Sequence, residues 1–165
     1  IDSISGIEKV ALFMRLLAPP KPSADTPGGA ASIAAGRDAF TRVGCALCHT
    51  PALKTGNSSV AALRNQWAYL YSDLLVHDMG AELADGISQG QAGPSEFRTA
   101  PLWGLGQRMF FLHDGRASEL VAAIQAHQSR STRGRDASEA NAVIDNFNTL
   151  PDTSKQNLLN FLRSL

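Results

Sequence analysis

The chain has only two cysteines, four histidines and three methionines in 165 residues, and it has no charge of either sign to spare: 15 basic groups balance 15 acidic ones. A zero net charge removes the electrostatic footprint of a nucleic-acid or anionic-lipid binder. Long apolar runs are missing as well. The longest, such as Val10 to Met14, are interrupted by Arg15, Lys21 or turn residues, well short of the ~18 residues a membrane span needs. There is no initiating Met and no basic stretch ahead of an apolar one, so the sequence reads as a processed product or an excised fragment. What remains, 44% hydrophobic and 18% charged, is the composition of one compact soluble domain that buries roughly 70% of its unfolded surface.

Regular strand alternation and internal repeats are also absent, and the periodicity that is present is helical. Residues 1 to 18 place Ile4, Ile7, Val10, Ala11, Met14 and Leu17 at helical spacing behind Ser3 or Ser5 as a cap, and Pro19 and Pro20 end the run. Pro, Gly, Ser and Ala then dominate as far as Ala31, which is linker chemistry. A second helix is expected over about Ser32 to Thr41, broken by Gly44. A third is expected over about Val60 to Leu75, where Leu63, Trp67, Leu70, Tyr71 and Leu74 share a face. Gly80 to Gly106 reads as long loops. Three more helices follow: Ser118 to about Gln128, Asp136 or Ser138 to about Phe147, and Asp152 or Thr153 onward with Leu158, Phe161, Leu162 and Leu165 on one face. The fold class expected is mostly α with heavy loops. The domain division expected is a joining helix and linker over residues 1–24 and a single domain over 25–165.

Both cysteines fall in Cys45-Ala46-Leu47-Cys48-His49, the c-type haem attachment spacing. Two thiols three positions apart reach the two vinyl groups of one porphyrin edge, and the next residue places an imidazole beneath the iron. Random placement of these residues yields the motif in roughly one chain in three thousand. The competing readings are a thioredoxin-like redox pair, a half zinc site and a disulfide. A redox pair calls for a strand leading into the motif, and here a helix does. Zinc needs two further ligands from His77, His113 and His127, with no second close-spaced pair. One covalent haem c per chain is therefore expected, held by Cys45, Cys48 and His49.

The sixth ligand decides function, because a protein ligand favours electron transfer and an open position allows oxygen or peroxide chemistry. Leu120, Ala123, Ile124 and His127 recur at helical spacing, so His127 shares an apolar face. A histidine there is ordinarily a satisfied core residue. With a haem in the same core, the balance turns toward ligation. Met79 is the alternative, in a loop able to carry its thioether over the iron. Met14 and Met109 read as fillers.

A wider likeness is carried by Tyr71-Ser72-Asp73-Leu74-Leu75-Val76-His77-Asp78-Met79-Gly80, Leu83-Ala84-Asp85-Gly86, Glu96-Phe97-Arg98-Thr99-Ala100-Pro101-Leu102-Trp103-Gly104-Leu105-Gly106 and Phe111-Leu112-His113-Asp114-Gly115-Arg116-Ala117. These stretches resemble the C-terminal haem domain of bacterial di-haem oxidoreductases, the group that includes thiol oxidoreductases and is related to di-haem cytochrome c peroxidases. Gly36-Arg37-Asp38-Ala39-Phe40 and Val43-Gly44-Cys45 resemble the first helix of the cytochrome c fold. The resemblance implies that the ligand position after the His113-Asp114-Gly115 turn falls on His127. It also implies an upstream haem domain, to which residues 1–24 would join. Trp103-Gly104 and Phe110-Phe111 depart from the Arg-Asn and Pro-Tyr of the peroxidases. Some relatives hold calcium between their domains, a cofactor this sequence does not itself support.

Among the remaining residues, Arg98 is the candidate partner for a haem propionate, with pairing to Glu96 or Asp114 as the alternative. Trp103 and Trp67 are candidates to lie against the porphyrin, or else simply to pack. His77 and His113, each followed by Asp, are expected to lock turns. Arg130, Arg133 and Arg135 form a small basic cluster suited to a docking partner or to solvent. The function expected is an electron-transfer domain ligated by His49 and His127 that exchanges electrons with a redox partner protein or an upstream haem domain. The alternatives are a haem peroxidase or oxidase with an open sixth position and, less favoured, a sensor domain responding by ligand exchange. Covalent haem attachment implies a periplasmic or other extracytoplasmic location.

Overall fold

The computed structural model describes residues 4–131 and 136–165; Ser3, Arg133 and Arg135 lie outside them. Five helices carry the fold: α1 (Gly6–Leu16), α2 (Gly29–Val43), α3 (Leu120–Gln125), α4 (Asn141–Asn148) and α5 (Asp152–Ser164). The class is mostly α. Two short antiparallel ribbons add the only paired strands among the described residues: β1 (Leu53–Lys54) with β2 (Trp67–Ala68), and β3 (Val76–Asp78) with β4 (Glu96–Arg98).

The centre is the crossing of α2 and α5. Phe40, Ala39 and Val43 of α2 pack with Leu158, Phe161 and Leu162 of α5, and Tyr71, Leu105, Leu120, Ala123 and Phe147 complete the core. Three rings interlock there edge to face: Phe40 lies 5.4 Å from Phe161 and 6.0 Å from Tyr71, and Tyr71 lies 5.6 Å from Phe161. Gly36 makes the crossing close, because a Cβ there would overlap the Asn157 carbonyl and sit 2.7 Å from the Phe161 Cβ. At the end of α2, Gly44 takes φ 107°, and its N–H closes the last turn on Phe40 and Thr41. Only glycine adopts that backbone readily, so it ends the helix just before Cys45.

On the other side of the crossing, the Ser32 hydroxyl donates to Asn157 Oδ1 (2.6 Å) and accepts from Asn160 Nδ2 (3.0 Å). Both Ser32 and Asn160 are buried. Ser32→Ala leaves those amides without their partner and is expected to cost about 1–3 kcal/mol, read as a lower urea midpoint with unchanged slope.

Several expectations are revised. No helix spans Val60 to Leu75: the segment holds a 3-10 turn (Ala61–Leu63) and strand β2. Asn65, Tyr71 and Leu74 have φ of 53°, 52° and 62°, which no α-helix admits. Side chains satisfy the backbone instead, Thr55 donating to Leu63 O (2.6 Å) and the Arg64 Nε to Ser58 O (2.6 Å). The helical spacing does not mark one buried face here: Leu70 and its neighbour Tyr71 are buried together while Trp67 and Leu74 are exposed. Strands are present where none was expected, although each is only two or three residues long. The expected side-chain caps are replaced by Glu119, Ala140 and Pro151, none of which caps through its side chain.

Helix α1 begins as expected, with Ser5 and Glu8 forming a reciprocal capping box. It buries no residue, and Ile7 (85% exposed), Val10, Phe13 and Met14 face solvent. The linker behind it is tethered where the Ser23 N–H donates to Ser164 O (2.7 Å). No helix among the described residues is long and apolar enough to cross a membrane.

Candidate functional site

Cys45 opens a 3-10 turn (Cys45–Leu47) directly after Gly44, and the His49 N–H bonds back to Cys45 O (2.9 Å). The motif is thus a tight coil pinned to the end of α2. Both thiols are free. Burial pushes Cys45 up to about 12, and burial followed by the charges of Asp73 and Glu139 raises Cys48. A catalytic redox pair has a depressed thiol pKa; these half-buried thiols are shifted the other way.

His49 follows the turn at the end of α2, His127 follows α3, and the two rings come together. Their ring centroids are 6.5 Å apart, with the planes inclined at 58°. In each ring Nδ1 donates to a backbone carbonyl: His49 to Tyr71 O (3.0 Å) and His127 to Ala123 O (2.7 Å). That fixes both tautomers and leaves Nε2 as the free lone pair, the arrangement by which a protein presents histidine to a metal. Burial lowers the pKa of both, His49 to about 4, so both rings are neutral at neutral pH and able to ligate. Two metal–nitrogen bonds of about 2 Å each, with the ring radii, separate two ligating imidazoles by roughly 6 Å. The donor set and its spacing therefore fit an iron held between the rings.

The local folding explains this placement. Tyr71 adopts its left-handed φ inside a loop fixed by the fully buried Ser72, whose hydroxyl donates to Thr99 O (2.7 Å) and accepts from the Leu74 N–H (2.9 Å). This turns the Tyr71 carbonyl toward His49 while the Tyr71 ring stays in the core. His127 sits just beyond α3, which ends sooner than expected, in a turn where its N–H reaches Ile124 O (3.1 Å). The Ser138 hydroxyl donates to the His127 carbonyl (2.6 Å) and secures that turn from the next segment.

The other candidates are dispersed. Met79 is half-buried beyond β3, its N–H donating to Ser95 O (2.8 Å). Arg98 is exposed on β4, opposite Val76. Glu96 accepts the Gly93 N–H and Asp114 pairs with Arg116, so neither expected carboxylate pairs with Arg98. Trp103 is half-buried, its indole N–H donating to Tyr69 O (2.7 Å), whereas Trp67 is exposed near Lys54. His113 stacks on Phe97 at 4.4 Å. In both His-Asp pairs it is the aspartate that locks the turn, Asp78 accepting from Gly80 and Asp114 from Arg116.

His77 has a different task. Its Nε2 lies 2.9 Å from Asp73 Oδ2, and its Nδ1 lies 2.8 Å from Glu139 Oε2. Bonding to Glu139, then to Asp73, raises its pKa. Cys48, Asp73 and His77 bring potential ligand atoms within 4.8 Å of one another. With each ring nitrogen already facing a carboxylate, His77 has no free lone pair for a metal. Asp73 and Glu139 were missed by sequence reasoning, and Glu139 carries no local signal because it lies 62 positions from His77.

The family model described as "Di-haem oxidoreductase, putative peroxidase" matches residues 7–165. The chain belongs to this family. The half-buried histidine pair beside the Cys-x-x-Cys-His coil has a donor set that fits the haem this family implies. No curated protein and no solved structure matches the chain.

Proposed function

We propose that this chain is the electron-transfer haem domain of its di-haem oxidoreductase. Cys45 and Cys48 would hold one c-type haem covalently, and His49 and His127 would both ligate its iron. The observation that carries this reading is the pair of rings 6.5 Å apart with both Nδ1 atoms committed to carbonyls. When bound, the haem supplies a one-electron couple. The residues of this chain orient the two imidazoles through Tyr71 O and Ala123 O and shield His49 with Phe40; ligation by both rings would favour electron transfer over substrate binding at iron.

Arg98, with no carboxylate partner on its own ribbon, serves a haem propionate, and the half-buried Trp103 lies along the porphyrin. Residues 1–24 are the helix and linker to a second haem domain: the family is di-haem, the chain has one Cys-x-x-Cys-His, and α1 presents an apolar face that no described residue covers. Electrons then pass between that domain, or a redox partner, and this haem. Covalent attachment puts the working protein outside the cytoplasm.

The ferrous holoprotein is expected to bind carbon monoxide only slowly, read from its optical spectrum. Prompt, stoichiometric binding would instead favour the peroxidase or oxidase alternative with a displaceable ligand. Replacing both cysteines (Cys45→Ala with Cys48→Ala) is expected to abolish covalent haem, so that intact-protein mass equals that of the bare chain; retention of covalent haem in the double variant would refute the attachment.

A further inference from the structure

The Asp73–His77–Glu139 group lies outside the ligand set, yet each of its ends is tied to one of the two ligand-bearing segments. On one side, Asp73 accepts from the His77 ring (2.9 Å), and its own N–H donates to the Cys48 carbonyl (2.8 Å), one residue from His49. On the other side, Glu139 Oε2 accepts from the His77 ring (2.8 Å) and Oε1 accepts the Asp78 N–H (2.9 Å). The Glu139 N–H returns to Asp78 O (3.0 Å), so β3 and Glu139 are joined three times. The neighbouring Ser138 is the residue whose hydroxyl holds the His127 carbonyl (2.6 Å). Its N–H is bonded to Ser129 O (3.0 Å), on the other flank of His127.

We propose that His77 is a positioning residue: its ring, donating to Asp73 and Glu139 at once, clamps the His127 segment to the His49 segment and thereby keeps His127 on the iron. The inference rests on the His49/His127 reading above. Two of the Glu139 joints run through the Asp78 backbone, and Asn146 Nδ2 also donates to Val43 O (3.1 Å); the His77 ring adds the link that runs directly from Glu139 to Asp73. Charge-assisted hydrogen bonds are the strong members of their class, and Asp73 and His77 are shielded, at 12% and 17% side-chain exposure. Glu139, at 53%, is the more solvated end, so its removal is expected to have the smaller effect.

The test compares carbon monoxide binding rates of ferrous holoprotein in the wild type, His77→Phe, Glu139→Ala, Glu139→Gln and His127→Ala, with thermal midpoints measured alongside. His77→Phe is expected to speed binding about tenfold, the weight of one charge-assisted hydrogen bond, and Glu139→Ala roughly threefold. Glu139→Gln, whose single acceptor oxygen keeps only one of the two bonds and turns an NH2 donor toward the other, is expected to speed binding about as much as Glu139→Ala. Lower thermal midpoints with wild-type carbon monoxide rates in His77→Phe and Glu139→Ala would overturn the clamp, leaving the group a plain structural ion pair. Should His77→Phe not fold, Glu139→Ala decides alone, its side chain being exposed enough to lose without collapse. A wild type that binds carbon monoxide as fast as His127→Ala would instead overturn the ligation reading, and the clamp with it.

Discussion

His127→Ala is expected to convert a low-spin ferric holoprotein into a high-spin one that takes up carbon monoxide promptly on reduction. The change is qualitative because one of two strong-field nitrogens is removed and no other described imidazole is placed to replace it. His77 is engaged at both nitrogens by carboxylates, and His113 is exposed and stacked on Phe97. Met79→Ala is expected to leave the spin state unchanged. If Met79→Ala gives the high-spin spectrum and His127→Ala does not, the thioether is the sixth ligand. His127 would then be a core histidine satisfied by Ala123 O. The optical and magnetic spectra of the two variants separate these outcomes without any activity assay.

Gly36→Ala is expected to destabilise the crossing of α2 and α5 strongly. The added Cβ would overlap the Asn157 carbonyl of α5 and stand 2.7 Å from the Phe161 Cβ. The obstacle is mostly backbone, which cannot rotate aside. Alanine's better helix propensity recovers only ~1 kcal/mol, while overpacking at a helix crossing costs up to about 3 kcal/mol. The thermal midpoint is expected to fall by roughly 4–8 °C for a net loss near 2 kcal/mol. A midpoint within a degree of wild type would show that α2 and α5 can separate at this crossing without penalty. Because Phe40 stands 6.4 Å from His49 and packs on Phe161, a variant that folds with a wider crossing is also expected to show a broadened haem spectrum.

What the sequence revealed follows a physical division. The Cys45 to His49 coil is legible because its chemistry is local: two thiols and an imidazole at fixed spacing need no tertiary information. His127 is singled out by period, since α3 buries Leu120 and Ala123 and the histidine follows at the same spacing in the turn just beyond it. Helix α2 and its end at Gly44 are legible because glycine alone suits the left-handed cap. Val60 to Leu75 misleads for the opposite reason. Its apolar spacing is helical, but the chain there is bent at Asn65, Tyr71 and Leu74 by side-chain to backbone bonds that no period encodes. The Tyr71 carbonyl, the Ser138 hydroxyl and the Asp73–His77–Glu139 group are tertiary throughout. The Tyr71 carbonyl and Glu139 reach partners 22 and 62 positions away, and nothing in either segment announces the other.

The measurement that bears most directly on the central claim is the low-temperature EPR spectrum of the oxidised wild-type holoprotein. Two neutral imidazoles, each fixed through Nδ1 and presented 6.5 Å apart, predict a low-spin ferric signal of bis-histidine type with no high-spin component. A dominant high-spin signal would contradict the account, removing His127 from the iron and making an open-site haem enzyme the reading to pursue.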